Sequence, residues 1–164
     1  MPRFKLIVEY DGTRFHGWQH QQDGTSVQEA VEKAITAFTG ETRRIVAAGR
    51  TDTGVHATHQ VVHVDLEREW PVRTIADAMN AHLKGNGVAI LDARRVADTF
   101  DARISAVKRH YLYRIINRRA FAVLDATRAW QVKWPIDERR MQAGADRLRS
   151  EEHTSELQSR QYLV

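Results

Sequence analysis

The chain contains no cysteine. That excludes disulfides, thiolate catalysis and every zinc site built on sulfur, and it agrees with a cytoplasmic protein. Long apolar runs are missing too. The uninterrupted ones span a few residues, far short of the ~20 needed to cross a bilayer. The opening residues, Met1-Pro2-Arg3-Phe4-Lys5, carry no apolar signal segment, so no membrane partner is expected. A phosphate-cradling glycine loop and a dinucleotide fingerprint are absent as well. No Ser-His-Asp set or metal box is recognisable, which leaves few candidates for a nucleophile.

What is present describes an ordinary globular protein with a basic surface. Of 164 residues, 42% are apolar and 28% charged, enough to bury one core, or one and part of another. The net charge of +4 favours a polyanionic partner such as nucleic acid. The cations are unevenly spread. Arg103, Lys108, Arg109, Arg114, Arg118 and Arg119 crowd one stretch and interleave with His110, Tyr111 and Tyr113. A solvated strand edge and a nucleic-acid contact both fit that run.

Periodicity orders the elements. Phe4, Leu6, Val8 and Tyr10 alternate onto one face of a strand that Asp11-Gly12 stops. Ser26 with Glu29 forms a capping box, and Val27, Ala30, Val31, Ala34, Ile35 and Phe38 recur at helical spacing up to Gly40. Arg43 to Ala48 reads as a second strand and His59 to Leu66 as a third. Pro71 and Thr74 open a second helix through Leu83, and Val88 to Val96 is a fourth strand. This β-α-β-β-α-β order predicts an α+β fold of the ferredoxin-like kind, with both helices on one sheet face and the other face free for ligand. Lys108 to Asn117 reads as a further strand, Trp130 to Trp134 as another, and Pro135-Ile136-Asp137 opens a third helix reaching Leu148. The expected division is residues 1–104, then 105–148 as the start of a second, incomplete half sharing the same sheet. The last sixteen residues, 149–164, have no helix or strand period and resemble translated sequencing adapter, so they are read as a non-native tail.

Chemistry concentrates in Ala-Gly-Arg-Thr-Asp-Thr-Gly-Val-His-Ala, residues 48–57. Asp52 sits in a loop flanked by glycine, with Arg50 two residues away to hold the carboxylate ionised and aim it. Read alone, Arg50 to Gly54 also fits a plain turn. His56, His59 and His63 are spaced i, i+3 and i+7, which on a helix would suit a metal. In a strand, His59 and His63 stand about 13 Å apart, so no metal site is expected there. His56 is expected to shape the loop. Trp18, Trp70, Trp130 and Trp134 are read as packing residues.

Three separated blocks give the sequence a family resemblance. Tyr10-Asp11-Gly12-Thr13 with Phe15-His16-Gly17-Trp18-Gln19, then Gly49 to Ala57, then Phe100-Asp101-Ala102-Arg103 with Tyr111-Leu112-Tyr113, resemble the motifs of the tRNA pseudouridine synthase A family. The family more often has Ala where this chain has Thr53. The resemblance implies isomerisation of uridine to pseudouridine in the anticodon stem-loop of tRNA, at positions 38 to 40, with no cofactor. It implies Asp52 as the essential carboxylate, acting at the sugar C1′ or on its 2′ proton, and Arg50 as an aid to nucleotide flipping. Tyr111 would come from a strand, stack on the flipped base and exchange a proton. Arg14, His56, Arg103, Lys108 and Arg109, with Tyr111, make up the expected RNA-binding set. The resemblance further implies a homodimer and a fold of two ferredoxin-like halves.

Rival readings remain open at this point. One is a non-catalytic RNA-binding sheet with aromatics on its face, another an inactive fragment of the enzyme, and a third a metal-dependent hydrolase using the histidines. An incomplete sheet would expose an unpaired edge, so slow or absent turnover and poor solubility are expected of this chain.

Overall fold

The computed structural model describes residues 1–21 and 24–148, and the tail reading for 149–164 lies outside them. Two compact units divide the chain, Met1–Ala106 and Val107–Val164. In the first unit, β1 (Arg3–Tyr10) is followed by a single 3-10 turn at Gly12–Arg14. Then come α1 (Val27–Thr39), β2 (Val46–Ala47), β3 (Ala57–Asp65), α2 (Val72–Leu83) and β4 (Val88–Val96). The α+β class and the β-α-β-β-α-β order expected from the sequence are present.

The sheet runs β2-β3-β1-β4, with every neighbouring pair antiparallel. β1 is thus inserted between β3 and β4, and β3 between β1 and β2. Each helix therefore joins two parallel strands separated by a third, the split βαβ arrangement. β1 alternates as predicted: Phe4, Leu6, Val8 and Tyr10 are buried. They meet Val62 and Val64 of β3, Ile90 of β4 and the inner faces of α1 (Val27, Val31, Ala34, Ile35) and α2 (Ile75, Met79, Leu83). These side chains leave water together, and that burial is the main force holding the unit.

Local chemistry fixes the ends. Ser26 Oγ accepts the Glu29 N–H at 3.1 Å, as the capping box requires, and the Glu29 carboxylate also pairs with Lys33 at 2.7 Å. Gly40 closes α1 at φ 77, a left-handed conformation in which a side chain would be strained. β2 is only two residues long, against six expected from the run 43–48. Charge explains the loss. Arg43 is drawn out of the strand by Glu41 (2.8 Å) and Glu67 (2.6 Å), while the Ile45 N–H donates to Glu32 Oε1 at 3.1 Å instead of to a strand. Asn80 joins α2 to the edge strand. Its amide donates to the Ile90 carbonyl and accepts the Ile90 N–H, both at 2.8 Å, in place of a strand partner.

The sheet face away from the helices, expected to be free, is covered at one end, whereas Glu9 and His59 on the same face are exposed. Arg3 sits at the covered end, bound bidentately to Asp65 at 2.7 and 2.6 Å, and its third nitrogen donates to the Phe100 carbonyl at 2.8 Å. The turn following β4 is thereby folded back onto the sheet. The Arg3 guanidinium holds the Asp65 carboxyl below the usual carboxylate range.

The second unit contains β5 (Ile115–Asn117) paired in parallel with β6 (Trp130–Val132), then α3 (Glu138–Leu148). The strand expected over 108–117 is confined to its last three residues, so Tyr111 and Tyr113 precede it in irregular chain. Trp130 is 69% and Trp134 81% exposed, which corrects their reading as packing residues. None of the described residues of this unit is buried, so the indoles have no core to enter. Side-chain amides organise the unit instead: Gln131 Nε2 donates to the Ala120 carbonyl at 2.8 Å, and Asn117 Nδ2 to the Trp134 carbonyl at 2.6 Å.

Replacing Asn80 with Leu strands both polar groups of the buried Ile90. The expected cost is about 1–3 kcal/mol, read as a lower urea midpoint with an unchanged slope.

Candidate active site

The loop carrying Asp52 is built backbone against backbone. Leaving β2, the chain is held by the Ala48 N–H on the Val61 carbonyl (2.8 Å) and by Gln60 Nε2 on the Gly49 carbonyl (2.6 Å). The Thr51 carbonyl then accepts the Trp18 N–H at 2.9 Å, and the Gly54 N–H reaches the Phe15 carbonyl at 3.4 Å. Val55 N–H closes a turn onto the Asp52 carbonyl at 3.2 Å. The first motif therefore lies directly on the second.

Two glycines permit that approach. A Cβ on Gly12 would stand 2.0 Å from the Val55 carbonyl oxygen. One on Gly17, whose φ is +88, would stand 2.7 Å from that of Thr51. Beneath them Trp18 and Tyr10 are buried against each other with ring centroids 5.7 Å apart. The Tyr10 hydroxyl bonds to Thr51 Oγ1 at 2.8 Å, and burial raises the phenol above its ordinary pKa. Tyr10 thus stays a neutral strut at physiological pH.

His56 turns inward to the same frame. Its Nδ1 lies 3.2 Å from the Gly12 nitrogen and 3.1 Å from Asp11 Oδ1. Unprotonated, Nδ1 accepts from Gly12; protonated, it donates to the carboxylate. Either way it ties the end of the Asp52 loop to the start of the first motif.

Asp52 and Arg50 are both exposed, and among the described residues no ion pair joins them. The sequence-level idea that Arg50 grips and aims Asp52 is corrected. Backbone bonds on either side orient the loop, and the guanidinium turns elsewhere. Arg50 lines an open cavity of about 390 Å³ together with Arg44, Arg103, Trp18, Gln28 and Val46. Gln28, nearly buried, spans from the His20 N–H (3.3 Å) to Glu32 (2.8 Å) and forms part of that wall. Three guanidinium groups around one cavity can receive a phosphate or another oxyanion.

The remaining predicted residues are dispersed. Arg14 is exposed on the turn after β1, on the same first motif. Arg103 belongs to the first unit and shares the cavity with Arg50. Lys108, Arg109 and Tyr111 belong to the second unit, where Tyr111 is 63% exposed. His59 is exposed, His56 faces Gly12, and His63 is buried. No group of three or more metal-ligating side chains is found among the described residues. Sequence reasoning missed Gln60, Gln28 and His63 as supports, because each is marked only by the hydrogen bond it makes in the folded chain.

A family model described as tRNA pseudouridine synthase matches residues 6–103, which hold the first motif, the Asp52 loop and Arg103. The chain belongs to that family. It is 55% identical over 148 residues to tRNA pseudouridine synthase A of Methylorubrum extorquens, covering 90% of this chain and 59% of the relative. It is 56% identical over 148 residues to the protein of that name in a Caulobacter species, with the same coverage. To the one in Sinorhizobium medicae it is 55% identical over 150 residues, covering 90% and 61%. The chain thus spans about three fifths of the length of these curated relatives. Among the described residues, no helix is long and apolar enough to cross a membrane.

Gly12→Ala is expected to lose about 2–4 kcal/mol, because a carbonyl and not a flexible side chain must move. Gly40→Ala, with open space around its Cβ position, is expected to lose only about 1 kcal/mol from its positive φ. Thermal melts of the two variants compare the two effects directly.

Proposed function

We propose that the chain encodes the catalytic part of a tRNA pseudouridine synthase that isomerises uridine in the anticodon stem-loop. The observation that supports this most is an exposed Asp52 on a loop fixed by motif-to-motif backbone bonds, beside a cavity lined by Arg44, Arg50 and Arg103. We read residues 1–104 as a ferredoxin-like half and 105–148 as the beginning of a second. A homodimer acting in the cytoplasm completes the reading.

The reaction balances within one nucleotide. The N1–C1′ bond breaks, the base rotates, C5 bonds to C1′, and the proton lost from C5 is matched by one gained at N1. Nothing is oxidised, and water is not consumed, so no cofactor is called for. Asp52 acts on the sugar, at C1′ or on the 2′ proton, and needs to be ionised to do either. Arg50 fills the space the flipped nucleotide leaves. Tyr111, as an exposed phenol, stacks on the uracil and exchanges the proton. Arg14, His56, Arg103, Lys108 and Arg109 hold the RNA through phosphates and base edges.

A non-catalytic RNA-binding module makes the same basic surface useful without chemistry. Asp52 separates the two readings, because a carboxylate is an unfavourable thing to present to phosphate unless it reacts. With the chain in excess over unmodified tRNA, a single turnover should yield pseudouridine. Asp52→Asn should abolish product while changing tRNA affinity less than about twofold. Product from the unmodified chain would exclude the module, whereas binding without product would leave the module and an inactive fragment of the enzyme as the two readings.

A further inference from the structure

His63 is a titratable side chain that the proposed chemistry does not use. It lies on β3, across from Lys5 of β1 and Val46 of β2, on the sheet face away from the helices, and is 5% exposed. Its Nδ1 accepts the backbone N–H of Ala102 at 3.0 Å, a bond buried at both ends, and its ring meets the edge of Phe100 with centroids 6.1 Å apart. A donor at Ala102 requires an unprotonated Nδ1, so the proton of the neutral ring is on Nε2. Ala102 is itself buried, and the next residue is Arg103, which shares the cavity with Arg50.

The turn around Ala102 is shaped from within. Asp101 Oδ1 accepts the N–H groups of Arg103 (2.8 Å) and Ile104 (2.9 Å), and the Asp101 carbonyl accepts that of Ser105 (2.8 Å). Those three bonds fix the form of the turn but not its place on the sheet. Bonds from Arg3 to the Phe100 carbonyl (2.8 Å) and from Ala102 to His63 attach it there. The bond at Ala102 is adjacent to Arg103.

We propose that His63 is a positioning residue: by accepting the Ala102 N–H it sets the height and direction of Arg103 at the cavity that takes an RNA phosphate. The inference rests on the reading of Arg103 as an RNA contact. His63 works only while neutral. Burial and the Arg3 charge lower its pKa, opposed by Asp101 and Asp65. Lys5 stands across from it, and Arg43 and Arg44 share a second cavity with it. For a base whose folded pKa is depressed, the stabilisation is full above the ordinary histidine value of 6.5 and is lost as pH falls towards the folded value.

The test uses the full chain, unmodified tRNA and four variants. His63→Asn offers an amide oxygen where Nδ1 was and cannot titrate; His63→Leu offers nothing. Arg103→Ala should weaken tRNA binding about fivefold and reduce the salt slope by about one phosphate. His63→Leu should weaken it to a similar degree, and His63→Asn should restore it. The double variant, combining His63→Leu with Arg103→Ala, should bind no more weakly than Arg103→Ala alone. Additive losses would overturn the proposal. So would an equal loss in His63→Asn and His63→Leu. If His63→Leu fails to fold, the pH profile decides. Because folded His63 titrates below its ordinary value, affinity relative to His63→Asn should be level through pH 6.5 and fall only at lower pH, and profiles that stay parallel down to the acid unfolding of the chain would reject the role. Amide exchange at Ala102 distinguishes the two readings. If exchange accelerates in His63→Leu while Arg103→Ala leaves tRNA affinity unchanged, the RNA role of Arg103 has failed and the tether stands.

Discussion

The candidate site depends on one steric condition: the backbone after β1 must lie directly on the backbone after β2. Two carbonyls of the Asp52 loop, at Thr51 and Val55, occupy positions where side chains on Gly17 and Gly12 would be. Because neither residue has a Cβ, Trp18 and Phe15 can bond across the gap, and Tyr10 and His56 can tie the two ends. Rigidity in this loop is therefore a property of two loops held together. It does not come from Asp52, whose side chain projects from the assembly. A side chain placed this way loses little backbone entropy on meeting a ligand, since the backbone that carries it is already fixed.

The two charges of the Asp52 loop are kept apart from each other. Among the ion pairs, Glu41, Glu67 and Glu32 hold Arg43 and Arg44 ahead of β2, and Asp65 holds Arg3 between β1 and β3. Arg50 is left to the cavity and not to Asp52. An ion pair between them would have neutralised both groups before substrate bound. Breaking it on binding would have cost up to about 1 kcal/mol, the worth of an exposed ion pair. Separation leaves both charges of one short loop available to a ligand. The electrostatics of the proposed reaction become strong only when RNA covers the site and excludes water.

Much of this was legible in the residues. The alternation from Phe4 to Tyr10, the capping box at Ser26 and the helical period to Phe38 each follow from local rules, and each is found. The Asp52 loop stood out because its glycines and charged residues fit neither period. What could not be read were long-range bonds without a pattern. Gln60 on Gly49, Asn80 on Ile90 and His63 on Ala102 each join residues ten or more positions apart. The strand at 43–48 failed because two glutamates compete for its arginine, which a period of two does not register. Trp130 and Trp134 failed for another reason. Size and hydrophobicity predict burial only where there is something to be buried against.

His63 brings these points together. On a β3 strand with Val62 and Val64 facing the helices, an alternating pattern assigns position 63 to the outer, solvated side, and a histidine there looks ordinary. It is buried because the turn after β4 folds back across that face, held by Arg3 at Phe100. The core and the candidate site are thus connected through the sheet. Phe4 and Leu6 fix β1 from one side; Arg3, on the same strand and facing the other way, draws in the turn that carries Arg103. A strand has two faces, and here one makes the fold stable while the other sets where a cation stands. The alternation of the two strands thus gives Phe4, Leu6, Val62 and Val64 to the core, and Arg3 and His63 to the turn on the opposite face.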